Sequence, residues 1–164
     1  MSDQRSSAHR APVGWLFVAG QVVLLAAIVF LPGPRTAAPD AVRSVGLVLE
    51  VVGIAIVVWG AAQLGPALNV LPTPNRAGDL RTGGLYRLVR HPIYFGVLVF
   101  AAGATVRGPT WARLVAALAL IALLRGKAAW EERRLAEKFP DYAEYAARTP
   151  AIVPLPFHRR RSDG

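Results

Sequence analysis

The chain has 164 residues, enough for one domain, with 54% hydrophobic residues and a formal net charge of +9. It contains no cysteine, which excludes disulfides, thiolate chemistry, CxxC zinc sites and lipidation on cysteine. Its apolar residues are clustered and its charges fall between the clusters. This pattern points to an all-α integral membrane protein, with the basic excess serving topology and lipid headgroups and not nucleic acid.

The first apolar run, 15-WLFVAGQVVLLAAIVFL-31, is uncharged and begins with Trp15 at an interfacial position. It reads as a retained span, while 31-LPGPRTAAPD-40 keeps a signal-peptide reading open. Residues 32–43 hold three prolines and one glycine and form a connector. The second run, 45-VGLVLEVVGIAIVVWGAAQL-64, has full spanning length and one ionisable residue, Glu50. Gly46, Gly53 and Gly60 recur every seven residues, near two helical turns, so they share a face that admits a close neighbour. Glu50 lies on that face. It reads either as a hydrogen-bonded residue near the outer interface or as a functional carboxylate facing a cavity.

A polar loop over 65–84 follows, then a third apolar run over 93–106, the turn 107-RGPT-110 and a fourth run over 111–124. The last two runs are short and predict a helical hairpin. Basic residues test this four-span arrangement. Fifteen fall on the side of the amino terminus, the second loop and the tail, and four on the other. The positive-inside rule then places both termini and the second loop in the cytoplasm, and the expected location is a bacterial inner membrane. The whole chain, 1–164, reads as one domain with a cytoplasmic carboxyl-terminal cap over 125–157.

The densest polar signal is 85-LYRLVRHPIYFG-96. Pro92 suits the first turn of a helix, which puts His91 at or beside the cap. The free amides of that turn, the helix dipole and Arg90 favour a carboxylate or phosphate. Tyr94 offers a ring and a hydroxyl, and Gly96 leaves room for a close neighbour. Topology and headgroup contact account equally for an Arg-His pair at a membrane edge, and a single histidine is no evidence for a metal.

The second polar block is 130-WEERRLAEKFPDYAEYAARTP-150. It starts six residues past the fourth run, so the same helix carries Glu131 and Glu132 about 9 Å beyond the membrane. Trp130, Leu135 and Phe139 provide anchors for an interface-lying helix, and Tyr142 and Tyr145 fall three apart. One block supplies cations and an imidazole, the other carboxylates and rings, on one side of the membrane. Together they suit a zwitterionic cofactor with an adenine ring. The competing reading pairs Glu131 and Glu132 with Arg134 or Lys127 in exposed salt bridges.

The stretches 83-GGLYRLVRHPIYFG-96 and 131-EERRLAEKFPDYAEYAARTPAIVPLPF-157 resemble the isoprenylcysteine carboxyl methyltransferase family and its relatives, the small phospholipid N-methyltransferases. The first follows a Gly-x-Tyr, Arg-His-Pro-x-Tyr-x-Gly pattern; the second follows a Glu-Glu pair, a leucine, an aromatic and paired tyrosines. Pro140 stands where the family commonly has glycine. The resemblance covers about half of the chain and implies S-adenosylmethionine bound at the cytosolic helix ends beneath a cap. It further implies that Tyr86, Arg90, His91, Pro92, Tyr94 and Gly96 form one half of that pocket. Glu131 and Glu132 would supply carboxylates, and Tyr142 and Tyr145 would close it. Arg90, His91, Glu131 and Glu132 are the candidates for catalysis, and the acceptor would be lipidic or apolar. An NADPH-dependent reductase of a lipid double bond and a non-enzymatic membrane scaffold are the alternatives. Glu50 matches no motif, and the oligomeric state is not legible.

Overall fold

A computed structural model describes residues 3–32, 39–65 and 80–154, with side chains from residue 13 onward. Most of the first connector (33–38), the loop over 66–79 with Arg76, the side chains of Arg5 and Arg10, and the tail from 155 lie outside the described residues. The chain forms α1 (Asp3–Phe30), α2 (Asp40–Leu64), a 3-10 turn (Gly84–Arg87), α3 (Pro92–Arg107), α4 (Trp111–Lys138) and α5 (Tyr142–Arg148). Among the described residues there is no strand.

The glycine stripe of α2 faces α3, and α3 answers with Gly96 and Gly103, again seven apart. A methyl group on Gly53 would approach the Phe100 amide nitrogen to 2.5 Å and the Gly96 carbonyl oxygen to 2.7 Å. One on Gly103 would come within 2.5 Å of the Gly46 carbonyl oxygen. The two helices therefore run antiparallel with their backbones in contact, which only hydrogen side chains permit. At one end Gly60 meets Pro92 and Ile93; at the other Gly46 meets Arg107. Glu50, 8% exposed, accepts an ion pair from Arg107 Nε at 2.8 Å. Its carboxylate is thus held by the neighbouring helix near the end of α3.

Helix α1 packs on α4 in the same antiparallel sense. The Phe17 and Trp130 rings lie 5.9 Å apart at one end. At the other, Arg113 donates to the carbonyls of Leu31 and Gly108, both at 2.9 Å. Arg113 thereby satisfies carbonyls left over where α1 and α3 end. Thr110 starts α4 by accepting from the Arg113 amide at 3.1 Å. Ile28, Leu120 and Leu124 are fully buried between these helices, whereas Leu16, Val48, Val58, Trp59 and Val115 point outward.

Among the described residues two segments are long and apolar enough to cross a membrane, Val13–Phe30 and Asp40–Leu64. Helix α3 is apolar but has 16 residues, about 24 Å, against a hydrocarbon core of about 30 Å. Helix α4 has 28 residues and runs unbroken through Trp130 to Lys138. The expected interface-lying helix over 130–139 is therefore the continuation of α4. Its Ala, Glu, Arg and Leu residues favour helix, and no glycine or proline interrupts them between Gly126 and Pro140.

Replacing Gly53 by leucine should lower stability by about 1–3 kcal/mol or more, because the α2 and α3 backbones must separate. Thermal unfolding of the purified protein in detergent reads this. Val51→Leu, on the outward face, should change it by less than about 0.5 kcal/mol.

Candidate functional site

The Arg-His-Pro motif occupies the bundle end where α2 stops and α3 begins. Gly84 enters the 3-10 turn at φ 58°, a left-handed conformation that glycine takes freely, with the Gln63 side chain directly beneath it. Gln63 Oε1 accepts from the Leu85 amide at 2.9 Å, and the Tyr86 hydroxyl donates to the Gly60 carbonyl at 3.3 Å. His91 is the N-cap of α3, with Pro92 as its first residue. The amides of Arg90 and His91 donate to the carbonyls of Pro150 and Ala151, both at 2.9 Å. These two bonds fasten the segment after α5 across the motif.

Helix α4 brings Glu131 and Glu132 over the start of α3. Glu132 Oε1 lies 2.9 Å from Arg90 NH2 and 3.1 Å from His91 Nε2. The Tyr94 hydroxyl reaches both Glu131 oxygens at 2.7 Å, and His91 Nδ1 stands 3.8 Å from Glu131. The His91 and Tyr94 rings stack 5.1 Å apart and only 3° from parallel. The anion that Arg90 and the helix start were expected to favour is thus supplied internally, by Glu132. Arg90 also donates to the Ala146 carbonyl at 2.9 Å, and its buried Nε has no partner among the described residues.

Pro140 occupies the second position of a turn closed by the Tyr142 amide on the Phe139 carbonyl at 3.1 Å, a place that proline suits. The turn directs α5 back over the site. Tyr145 donates to the Tyr86 carbonyl at 2.6 Å, and its ring meets that of Tyr142 edge-on at 6.1 Å. The Tyr142 hydroxyl is buried with no partner among the described residues. Burial raises the pKa of Tyr86 and Tyr142 and pushes Tyr145 up to about 12 despite the opposing charge of Arg90. All three phenols are therefore hydrogen-bond donors at any physiological pH.

Nine of the ten sequence-identified residues gather at this bundle end. Gly96 sits one turn deeper against the Gly53 carbonyl, so the space it leaves is filled by α2. Sequence reasoning treated Lys127 only as a salt-bridge partner. It is buried beside Tyr94, its ammonium 5.1 Å from the ring centroid. A single cation among Gly126, Ala128 and Ala129, one turn before Glu131, was the available signal.

Burial disfavours the charge on Glu132, but the hydrogen bond from His91 and the charge of Arg90 outweigh it and hold the pKa below the ordinary 4.5. A carboxyl depressed in the folded state stabilises fully above its unfolded pKa and loses that contribution as pH falls through the folded one. Unfolding midpoints should therefore drop on acidification below pH 4.5, and Glu132→Gln should flatten that drop.

A model of the family described as phospholipid methyltransferase matches residues 42–142. The match covers all but the first two residues of α2, all of α3 and α4, and the first residue of α5, reaching back past Glu50. The cobalt-zinc-cadmium resistance protein CzcN of Cupriavidus metallidurans is 36% identical over 109 residues, 66% of this chain and 49% of that protein. Methanethiol S-methyltransferase 2 of Bradyrhizobium diazoefficiens is 40% identical over 88 residues, 52% of this chain and 32% of that protein. The nickel-cobalt-cadmium resistance protein NccN of Alcaligenes xylosoxydans xylosoxydans is 34% identical over 85 residues, 49% of this chain and 38% of that protein. The matched part spans half or less of the length of each relative. With its Arg-His-Pro turn, its Glu-Glu pair and the helices carrying both inside one family match, this chain belongs to the phospholipid methyltransferase family.

Proposed function

We propose that the chain is a methyltransferase dependent on S-adenosylmethionine, acting on a lipidic or apolar acceptor at the cytoplasmic end of a four-span bundle. In this reading α3 and α4 are the third and fourth spans, and their short apolar stretches suit a hairpin. The basic residues gather on the side of the site, which favours both termini in the cytoplasm of a bacterial inner membrane.

The observation that carries the reading is the joining of two charge-bearing blocks over the start of α3, beside a buried phenol without a partner among the described residues. The Tyr142 hydroxyl and Arg90 Nε are polar groups without a partner among the described residues, and a polar ligand would satisfy them. Glu131 and Glu132 offer carboxylates to the cationic parts of such a ligand, and Tyr142 and Tyr145 offer rings to an adenine. S-adenosylmethionine supplies, when bound, a methyl group on a sulfonium. The chain's residues then have to align donor and acceptor and exclude water, with no covalent intermediate on the protein. Tyr94 and His91 hold the two carboxylates in place, and α5 with the 150–151 segment roofs the site. Arg90 spends both terminal nitrogens on Glu132 and Ala146, so it acts by positioning Glu132.

The relative named for methanethiol favours a small thiol as one acceptor class beside lipids. The reductase alternative needs a proton donor deep in the membrane, and Glu50 is committed to Arg107.

The full chain, purified in lipid and in detergent, should bind radiolabelled S-adenosylmethionine. Glu131→Gln and His91→Ala should weaken binding by about tenfold or more. No binding by the intact protein in either medium overturns the proposal. Mass spectrometry of lipids and small molecules that gain one CH2 with protein and donor would identify the acceptor.

A further inference from the structure

We propose that Lys127 binds the acceptor's nucleophilic group, and that this group reacts as an anion, a thiolate or a carboxylate. The inference rests on the methyltransferase reading above. Lys127 is 7% exposed on α4, one turn before Glu131. A lysine near a membrane surface ordinarily extends along it towards water, whereas this residue as a whole is buried. The ammonium lies over the Tyr94 ring, 5.1 Å from its centroid.

The other charges of the site have partners. Arg90 has Glu132, and Glu131 has the Tyr94 hydroxyl. Among the described residues no carboxylate stands within ion-pair distance of Lys127. A structural lysine at this spacing would close on Glu131 along the helix face, yet Glu131 is turned to Tyr94. A ring face offsets only part of the cost of burying an ammonium. Burial accordingly weakens the hold of Lys127 on its proton, with the charge of Glu131 opposing that change. The residue is a cation held in readiness beside the motif, where an anion would complete it.

The charge balance of the reaction uses this arrangement. The acceptor's lone pair forms the new bond to the methyl carbon, the carbon–sulfur bond of the donor breaks, and its electron pair stays on the donor sulfur. An anion and a sulfonium become two neutral products. Lys127 then attracts the substrate and not the product, which favours release. For a thiol, the proton leaves to solvent before transfer, and a neighbouring ammonium lowers the thiol pKa by favouring the thiolate. A protonated amine would instead meet a like charge.

The test uses the full chain in detergent with S-adenosylmethionine and three apolar probes, octanethiol, decanoate and decylamine. The wild type should methylate the thiol or the carboxylate in preference to the amine. Lys127→Met should lower kcat/KM on the order of 100-fold. It should leave S-adenosylmethionine affinity within about threefold and the unfolding midpoint no lower, since a buried unpaired charge has been removed. Lys127→Arg, which keeps the charge, should recover part of the activity. The inference is overturned if Lys127→Met keeps wild-type turnover, loses donor binding in parallel or unfolds at a lower temperature. Preference for decylamine overturns it as well. So does a donor-binding wild type that methylates neither anion-forming probe, which leaves the cofactor reading standing. A wild type that binds no S-adenosylmethionine overturns both.

Discussion

The backbone contact between α2 and α3 sets the position of everything at the site. Five glycines remove side chains from the seam, so the two helices meet carbonyl against amide with almost no freedom to slide or roll. Because Gly60 lies against Pro92, the end of α2 locates the start of α3. The Tyr86 hydroxyl and the Gln63 carboxamide then tie the turn before α3 to the same helix end. The Arg-His pair is thereby held on rigid elements, which is what a site requires to keep its groups in working geometry. Glu50 and Arg107 close the far end of the same seam.

Much of this was legible in the chain because it rests on local rules. The heptad of glycines predicted a close helix neighbour, Pro92 predicted a helix start, and the Glu-Glu pair was placed on an extension of the fourth apolar run. Partners across the fold were not legible. Nothing in the spacing of Arg90 and Glu132, 42 positions apart, says that they meet. The tie between Tyr145 and the Tyr86 carbonyl depends on a turn at Pro140 that the family pattern builds with glycine. Gly96 illustrates the limit from the other side. It belongs to the motif by position, but its missing side chain serves the packing of α2. Lys127 went unweighted because a cation in a basic chain carries little information until its burial is known.

The electrostatics of the site follow a division of labour between two acids on adjacent positions. Successive helix residues point about 100° apart, yet here both carboxylates reach the start of α3, one to Arg90 and His91, the other to Tyr94. Glu132 is paired with a cation and an imidazole, while Glu131 takes the Tyr94 hydroxyl, with His91 Nδ1 3.8 Å away. The imidazole of His91 lies between these two environments, stacked on Tyr94 and within reach of both acids. A substitution at either acid would therefore be felt by the other through His91 and Tyr94.

The paired amide-to-carbonyl bonds joining residues 90–91 to 150–151 bear on how the molecule is made. The long apolar helices emerge from the ribosome early, and α2 and α3 are able to join as soon as residue 107 is available. Residues 150–151 arrive only after all four long helices and α5 have been synthesised. Until then the amides of Arg90 and His91 lack the Pro150 and Ala151 carbonyls that they meet in the folded chain. The contact between α2 and α3 therefore needs nothing beyond residue 107, whereas the fastening of the Arg-His motif needs the chain through residue 151.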